Sequence, residues 1–148
     1  MRISAVFKIL HGLVTATLLV VVIGIIWLTG GDEKADDVYQ GSHQVSSGLW
    51  LYTTKNSSGN ATVPIVYRYY LSQQLSGSKA QIVKALHNQM PFLTGTGSIS
   101  DITRDGDRVE VAYSGRIFSI DTSVTYQEGG KPISVSLSYK IGPSKSGY

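Results

Sequence analysis

The chain has 148 residues, no cysteine and three histidines, which excludes disulfides, zinc–thiolate and iron–sulfur sites, thiol nucleophiles and cysteine lipidation. Its 13 basic and 10 acidic residues leave a formal charge of +3. That charge is unevenly spread: Arg2 and Lys8 give the N-terminus +2, the stretch 32–37 carries −3, and the remainder carries +4.

Gly12 to Thr29, GLVTATLLVVVIGIIWLT, contains no charged residue. As a helix it spans about 27 Å, and extension back through Ile9 and Leu10 matches the ~30 Å hydrocarbon core of a bilayer. Residues 1–30 are therefore expected to form a short cytoplasmic N-terminus and a transmembrane helix. Basic residues before the run and an acidic cluster after it predict a cytoplasmic N-terminus and a C-terminal domain outside. The alternative is a cleaved secretory signal, with Thr29, Gly30 and Gly31 as the small residues before Asp32. The length of the run and the interfacial Trp27 favour an uncleaved signal-anchor. Thr15, Thr17 and Gly24 interrupt the run, and Thr17 and Gly24, seven residues apart, share the face on which a partner helix would pack.

Residues 31–47 are polar, rich in Gly and Ser and without periodicity, and read as a flexible linker. A folded domain is expected over 48–142, and the tail 143–148 is expected to be disordered. Leu49 to Thr54 reads as a strand with Leu49 and Leu51 on one face and Trp50 and Tyr52 on the other. Lys55 to Thr62 is a turn-rich loop holding two formal glycosylation sequons, at Asn56 and Asn60. Val63 to Leu71 follows as a second strand, with Ile65, Tyr67, Tyr69 and Leu71 on one face and Val66, Arg68 and Tyr70 on the other. Ser78 as N-cap with Gln81 three residues later opens a helix carrying Ile82, Leu86 and Met90, which Pro91 ends.

Thr94 to Gly97 reads as a loop. Four meandering strands follow: Ser98 to Arg104 and Arg108 to Tyr113 around an Asp105-Gly106-Asp107 turn, then Arg116 to Tyr126, then Ile133 to Ile141. In the last, Ile133, Val135, Leu137, Tyr139 and Ile141 alternate with Ser134, Ser136, Ser138 and Lys140, which predicts one dry and one wet face. The order ββαββββ implies an α+β fold, a single antiparallel sheet covered by one helix. In topology, though in no motif, that order is similar to the roll of cystatin-like and NTF2-like domains.

Few residues carry chemistry. His11, His43 and His87 lie before the apolar run, in the linker and on the helix, without ligand spacing. Asp101, Asp105 and Asp107 lack the order of a calcium loop and read as a turn. Ser76-Gly77-Ser78-Lys79 is a formal S-x-x-K, without the S-D-N and K-T-G elements that accompany it in penicillin-binding enzymes, and helix capping explains Ser78. The glycine-rich TGTGS at 94–98 follows a helix instead of preceding one, unlike a phosphate loop. Asp121, in the middle of an expected strand, reads first as solvated, and otherwise as a partner of Arg116 or as part of a pocket lining. No catalytic residue, metal or cofactor is expected.

Aromatic residues on both faces of the first two strands exceed what one helix can cover. Trp50, Tyr52, Arg68 and Tyr70 are therefore the expected members of a protein interface. Their rings come with little basic charge, which argues against nucleic acid. The expectation is a single-pass protein of a bacterial-type inner (plasma) membrane whose periplasmic or extracellular domain makes protein–protein contacts in an envelope assembly of the secretion, conjugation or pilus type. The alternatives are an anchored inhibitor or immunity-type protein, and a small-ligand-binding domain with its pocket between helix and sheet.

Overall fold

The computed structural model describes residues 2–30, 33–58 and 62–143. The expected cleavage site at Gly31 and Asp32, the Asn60 sequon and all of the tail beyond Pro143 lie outside these residues. The chain divides into two units, Met1–Ala35 and Asp36–Tyr148.

The first unit is built on α1 (Arg2–Thr29), which at 1.5 Å per residue is about 42 Å long. Its 27-residue stretch Arg2–Leu28 is apolar and long enough to cross a membrane, as a transmembrane anchor or a signal sequence does. Its apolar side chains are exposed on every side, Val20, Val21, Val22 and Ile23 in succession among them. The hydroxyls of Thr15 and Thr17 donate to the carbonyls of His11 and Leu13, each 2.9 Å away, so both are satisfied within the helix.

The second unit is α+β, as the sequence implies, but the strands form two sheets instead of one. Among the described residues these strands are β1 (Val38–Ser46), β2 (Leu49–Asn56), β3 (Val66–Ser72), β4 (Leu93–Gly95), β5 (Ser98–Asp105), β6 (Arg108–Ser114), β7 (Ile117–Ile120), β8 (Ser123–Glu128) and β9 (Lys131–Gly142), with α2 (Lys79–His87) between β3 and β4. The first sheet runs β1-β2-β3-β4-β7, all antiparallel, and the second runs β5-β6-β9-β8. In the second sheet β6 and β9 are parallel, so the expected meander is interrupted. The expected roll, with a helix over a single sheet, is replaced by three layers: α2, first sheet, second sheet.

Alternation along β2 and β3 accounts for these layers. Leu49, Leu51, Tyr69 and Leu71 point to the second sheet, where they meet Val109, Val111, Tyr113, Val135 and Leu137 in one buried cluster. Tyr52 and Tyr70 point the other way and pack with Leu86 of α2, flanked by Trp50, Leu75 and Ile82. The helix begins as expected: Ser78 accepts from the Gln81 N–H while the Gln81 side chain accepts from the Ser78 N–H, a capping box. It ends at His87 with Asn88 as C-cap, before Met90, which is exposed.

Three further expectations change. Residues 38–46, read as linker, are β1; its Gly and Ser content and its two bulges hide the strand period. Thr94 and Gly95, read as loop, belong to β4, which joins β3 to β7. Arg116 to Tyr126 is two strands in different sheets, with Asp121 and Thr122 at the corner between them. Asp121 is thus a corner residue: its N–H donates to the Phe92 carbonyl at 2.8 Å, and the Tyr139 hydroxyl donates to its carbonyl. Ile141 of the alternating last strand is exposed, as are Phe118 and Ile120 on the β7 edge.

The chain passes from the first sheet to the second at Thr96 and Gly97 and returns at Gly115 and Arg116. There the two passages touch. A Cβ on Gly97 would lie 1.8 Å from the Ser114 carbonyl oxygen, and one on Gly115, whose φ is +135°, would lie 2.3 Å from Gly97 Cα. Gly97→Ala is expected to destabilise the full chain by about 3 kcal/mol or more in chemical denaturation. Gly41→Ala on β1, where an added Cβ meets open space, is expected to change stability by less than about 1 kcal/mol.

Candidate functional site

Two sites stand out in the folded unit, one buried and one open. The buried site forms where the chain enters the domain. Asp37, expected in the linker, is 8% exposed and pairs with Arg68 of β3, their side chains 3% and 9% exposed. The same carboxylate accepts from Thr54 Oγ1 at 3.0 Å and from Asn56 Nδ2 at 2.9 Å, so both of its oxygens take charge-assisted bonds. Asn56 in turn accepts from the Ser58 N–H at 3.1 Å, which occupies the amide of the first sequon.

Three of the four residues expected at an interface are buried in the domain. Tyr52, Arg68 and Tyr70 are 2%, 8% and 1% exposed, the two tyrosines packed on Leu86 of α2 and Arg68 paired with Asp37. Of the four expected residues only Trp50 is partly open, stacked on Tyr52 with ring centroids 6.5 Å apart. The same packing fills the helix–sheet space around Tyr52, Tyr70 and Leu86, and a recess of about 400 Å³ remains between α2 and β1, lined by Val38, Tyr39, Lys79, Ala80 and Val83. Thr17 and Gly24 lie on α1, and an added Cβ on Gly24 would meet nothing within 4 Å.

The open site is a cleft of about 630 Å³ on the opposite side of the first sheet. It follows from the identity of the side chains that face the second sheet. Strand register aligns Gly41, Thr53 and Tyr69 in one row, and His43, Leu51 and Leu71 in the next. Leucine, tyrosine and phenylalanine complete the row toward β3 and β4, but Gly41 and Thr53 leave space toward β1. The two sheets therefore part between β1 and β5, and Tyr67, Tyr69, Ile99 and the Thr96–Ser98 backbone become cleft walls.

The cleft wall is rigid where the chain changes sheets. Tyr69 donates its hydroxyl hydrogen to the Gly97 carbonyl at 2.8 Å, and Tyr113 accepts from the Gly97 N–H at 2.8 Å and donates to the Arg116 carbonyl at 3.3 Å. The two rings meet edge to face, 6.1 Å between centroids. Burial first, and then the neighbouring Tyr113, push the Tyr69 phenol up, so both hydroxyls stay protonated donors across the ordinary pH range.

Thr96, Gly97 and Ser98 of the glycine-rich stretch thus line a cleft, although not as a phosphate loop. The β1 residues Gly41 and His43 were not singled out as wall residues, since the glycine that opens the cleft also breaks the alternation that marks a strand. A second recess of about 450 Å³ lies between Leu71, Gln89, Met90, Asp121 and β8, which places Asp121 at a pocket rim. Among the described residues no three His, Cys, Asp or Glu side chains gather at metal-ligand distance.

Asp37→Asn leaves Arg68 as a buried charge without its counter-ion. It is expected to cost about 3 kcal/mol or more in chemical denaturation, and Asp37→Leu combined with Arg68→Met to recover part of that loss. Burial and then the Asp37 carboxylate push the Tyr70 phenol up to about 12 from its ordinary 10.0. Above pH 10 the unfolded state therefore ionises this tyrosine first. Stability present below pH 10 is expected to fall as pH rises toward 12, measurable as an alkaline unfolding transition that moves in Tyr70→Phe.

No family model matches the chain, and no curated protein or solved structure matches it; a functional reading rests on the geometry of these sites.

Proposed function

We propose that this chain is a single-pass membrane protein that holds a non-catalytic binding domain on the extracytoplasmic side of a bacterial-type inner membrane, with its N-terminus in the cytoplasm. The observation that carries this reading is the apolar helix Arg2–Leu28 ahead of a separately folded unit from Asp36. Flanking charge supports the orientation, with Arg2 and Lys8 on one side and Asp32, Glu33, Lys34, Asp36 and Asp37, net −3, on the other. Anchoring raises the local concentration of a binding module at the membrane surface, so modest affinity in the domain suffices for function.

Two surfaces support binding of different kinds. The cleft between β1 and β5, larger than the recess at α2, supports a small-ligand reading with the pocket between the sheets. The β7 edge, where Phe118 and Ile120 are 47% and 40% exposed, supports the second reading, contact with a protein of an envelope assembly or, as an anchored inhibitor, with an incoming protein.

The absence of cysteine makes the topology directly testable. Ser136→Cys, on an exposed position of β9, is expected to react with a membrane-impermeant maleimide in intact spheroplasts, while Ala5→Cys is expected to react only after permeabilisation. The intact mass of the membrane-bound chain is expected to include α1. Labelling of Ala5→Cys alone from outside would reverse the orientation, and a mature chain starting near Asp32 would make α1 a signal sequence.

A further inference from the structure

We propose that the cleft between β1 and β5 is a saccharide site, which takes a short stretch of a neutral glycan. This rests on the reading of the domain as a binding module and names its ligand class. The volume, about 630 Å³, falls within the range of roughly 300 to 1,000 Å³ typical of small-ligand sites. What lines it narrows the chemistry further.

No Asp, Glu, Lys or Arg is among the lining residues. Phosphates, carboxylates and nucleotides are recognised by Arg, Lys or helix N-termini, and divalent cations by carboxylates; none of these groups is in the cleft. An aliphatic ligand fits no better. His43, Thr53, Tyr67, Thr96, Ser98 and Ser114 all line the cleft, and a lipid tail covering them would strip water from these six polar side chains without replacing their hydrogen bonds. Between them they offer hydroxyl and imidazole groups that both donate and accept. The apolar part of the wall is Leu51, Ile99 and the tyrosine rings.

A pyranose matches that mixture. Its equatorial hydroxyls both donate and accept, and its axial C–H groups form an apolar face that lies on an aromatic ring. Tyr67, half-buried and at the wall, is the ring available for such stacking, while Tyr69 is held by Gly97. A peptide added as a further strand is the competing occupant. It requires an unbroken ladder, and both edge strands are irregular at the cleft: β1 shifts register between Tyr39 and Gly41, and β5 between Ile99 and Asp101.

The test uses the full chain in nanodiscs, because maltoside detergents carry the chemistry of the probe. Saturation-transfer NMR is run with two neutral trisaccharides, maltotriose and chitotriose, and with a neutral extended tetrapeptide. Transfer to ring C–H protons of at least one sugar is expected. Gly41→Phe, which grows a ring from a position where Cβ meets open space, is expected to weaken that binding about tenfold or more, and Tyr67→Ala to weaken it several-fold. Circular dichroism of both variants is expected to match the parent, and either folded variant suffices to place the ligand. No transfer to either sugar, or transfer unchanged in every folded variant, overturns the saccharide site. Peptide binding that Gly41→Phe abolishes would overturn it while keeping the binding-module reading. Binding of no probe, in a chain whose domain also labels from the cytoplasmic side, would remove both.

Discussion

The fold depends on one close backbone contact. A chain that builds two facing sheets from interleaved segments must cross between them, and here two of the crossings, at Gly97 and Gly115, meet with no room for a side chain. Glycine is required at both for that reason, and at Gly115 also for its positive φ. Tyr113 closes the contact by binding the N–H of one crossing and the carbonyl of the other. Because the same point ends β4 and β6 and starts β5 and β7, it sets the relative placement of both sheets. Tyr69, which meets Tyr113 edge to face, carries that placement into the centre of the first sheet.

The layers were legible where side chains alternate without interruption. Leu49 and Leu51 against Trp50 and Tyr52, and Tyr69 and Leu71 against Arg68 and Tyr70, define the two faces of the central strands from sequence alone, and the Ser78–Gln81 capping box marks the start of α2. What alternation does not encode is which sheet a strand joins. Arg116 to Tyr126 reads as one strand because nothing in Ile120-Asp121-Thr122 resembles a turn; the corner is made by distant partners, the Phe92 carbonyl and the Tyr139 hydroxyl. A second face on the first sheet was visible as an excess of rings, but not what covers it. Arg68 looked like a surface cation because its counter-ion sits 31 residues away, in a stretch whose composition resembles a linker.

The candidate site was legible only in fragments, and for a related reason. A cleft in a two-sheet core arises where a strand supplies too little side chain, so its signature is the weakness of a pattern. Gly41 and Thr53 remove bulk from an inner-face row that tyrosine and leucine complete on the other strands. The cost in lost packing is spread over a rim that water can reach, which limits the penalty relative to a sealed cavity of similar size. The polar wall then follows, since an open inter-sheet space lined by leucine alone would close by collapse of the two sheets.

Asp37 also has a mechanical consequence. In a chain held by its first helix, any pull on the domain arrives through residues 33–36 and reaches Asp37 before the first rung of β1, the Val38–Lys55 pair. An edge strand pulled from its end would peel one rung at a time. The carboxylate, fixed at once to β3 through Arg68 and to β2 through Thr54 and Asn56, would pass that load to both of these inner strands before the edge strand is peeled.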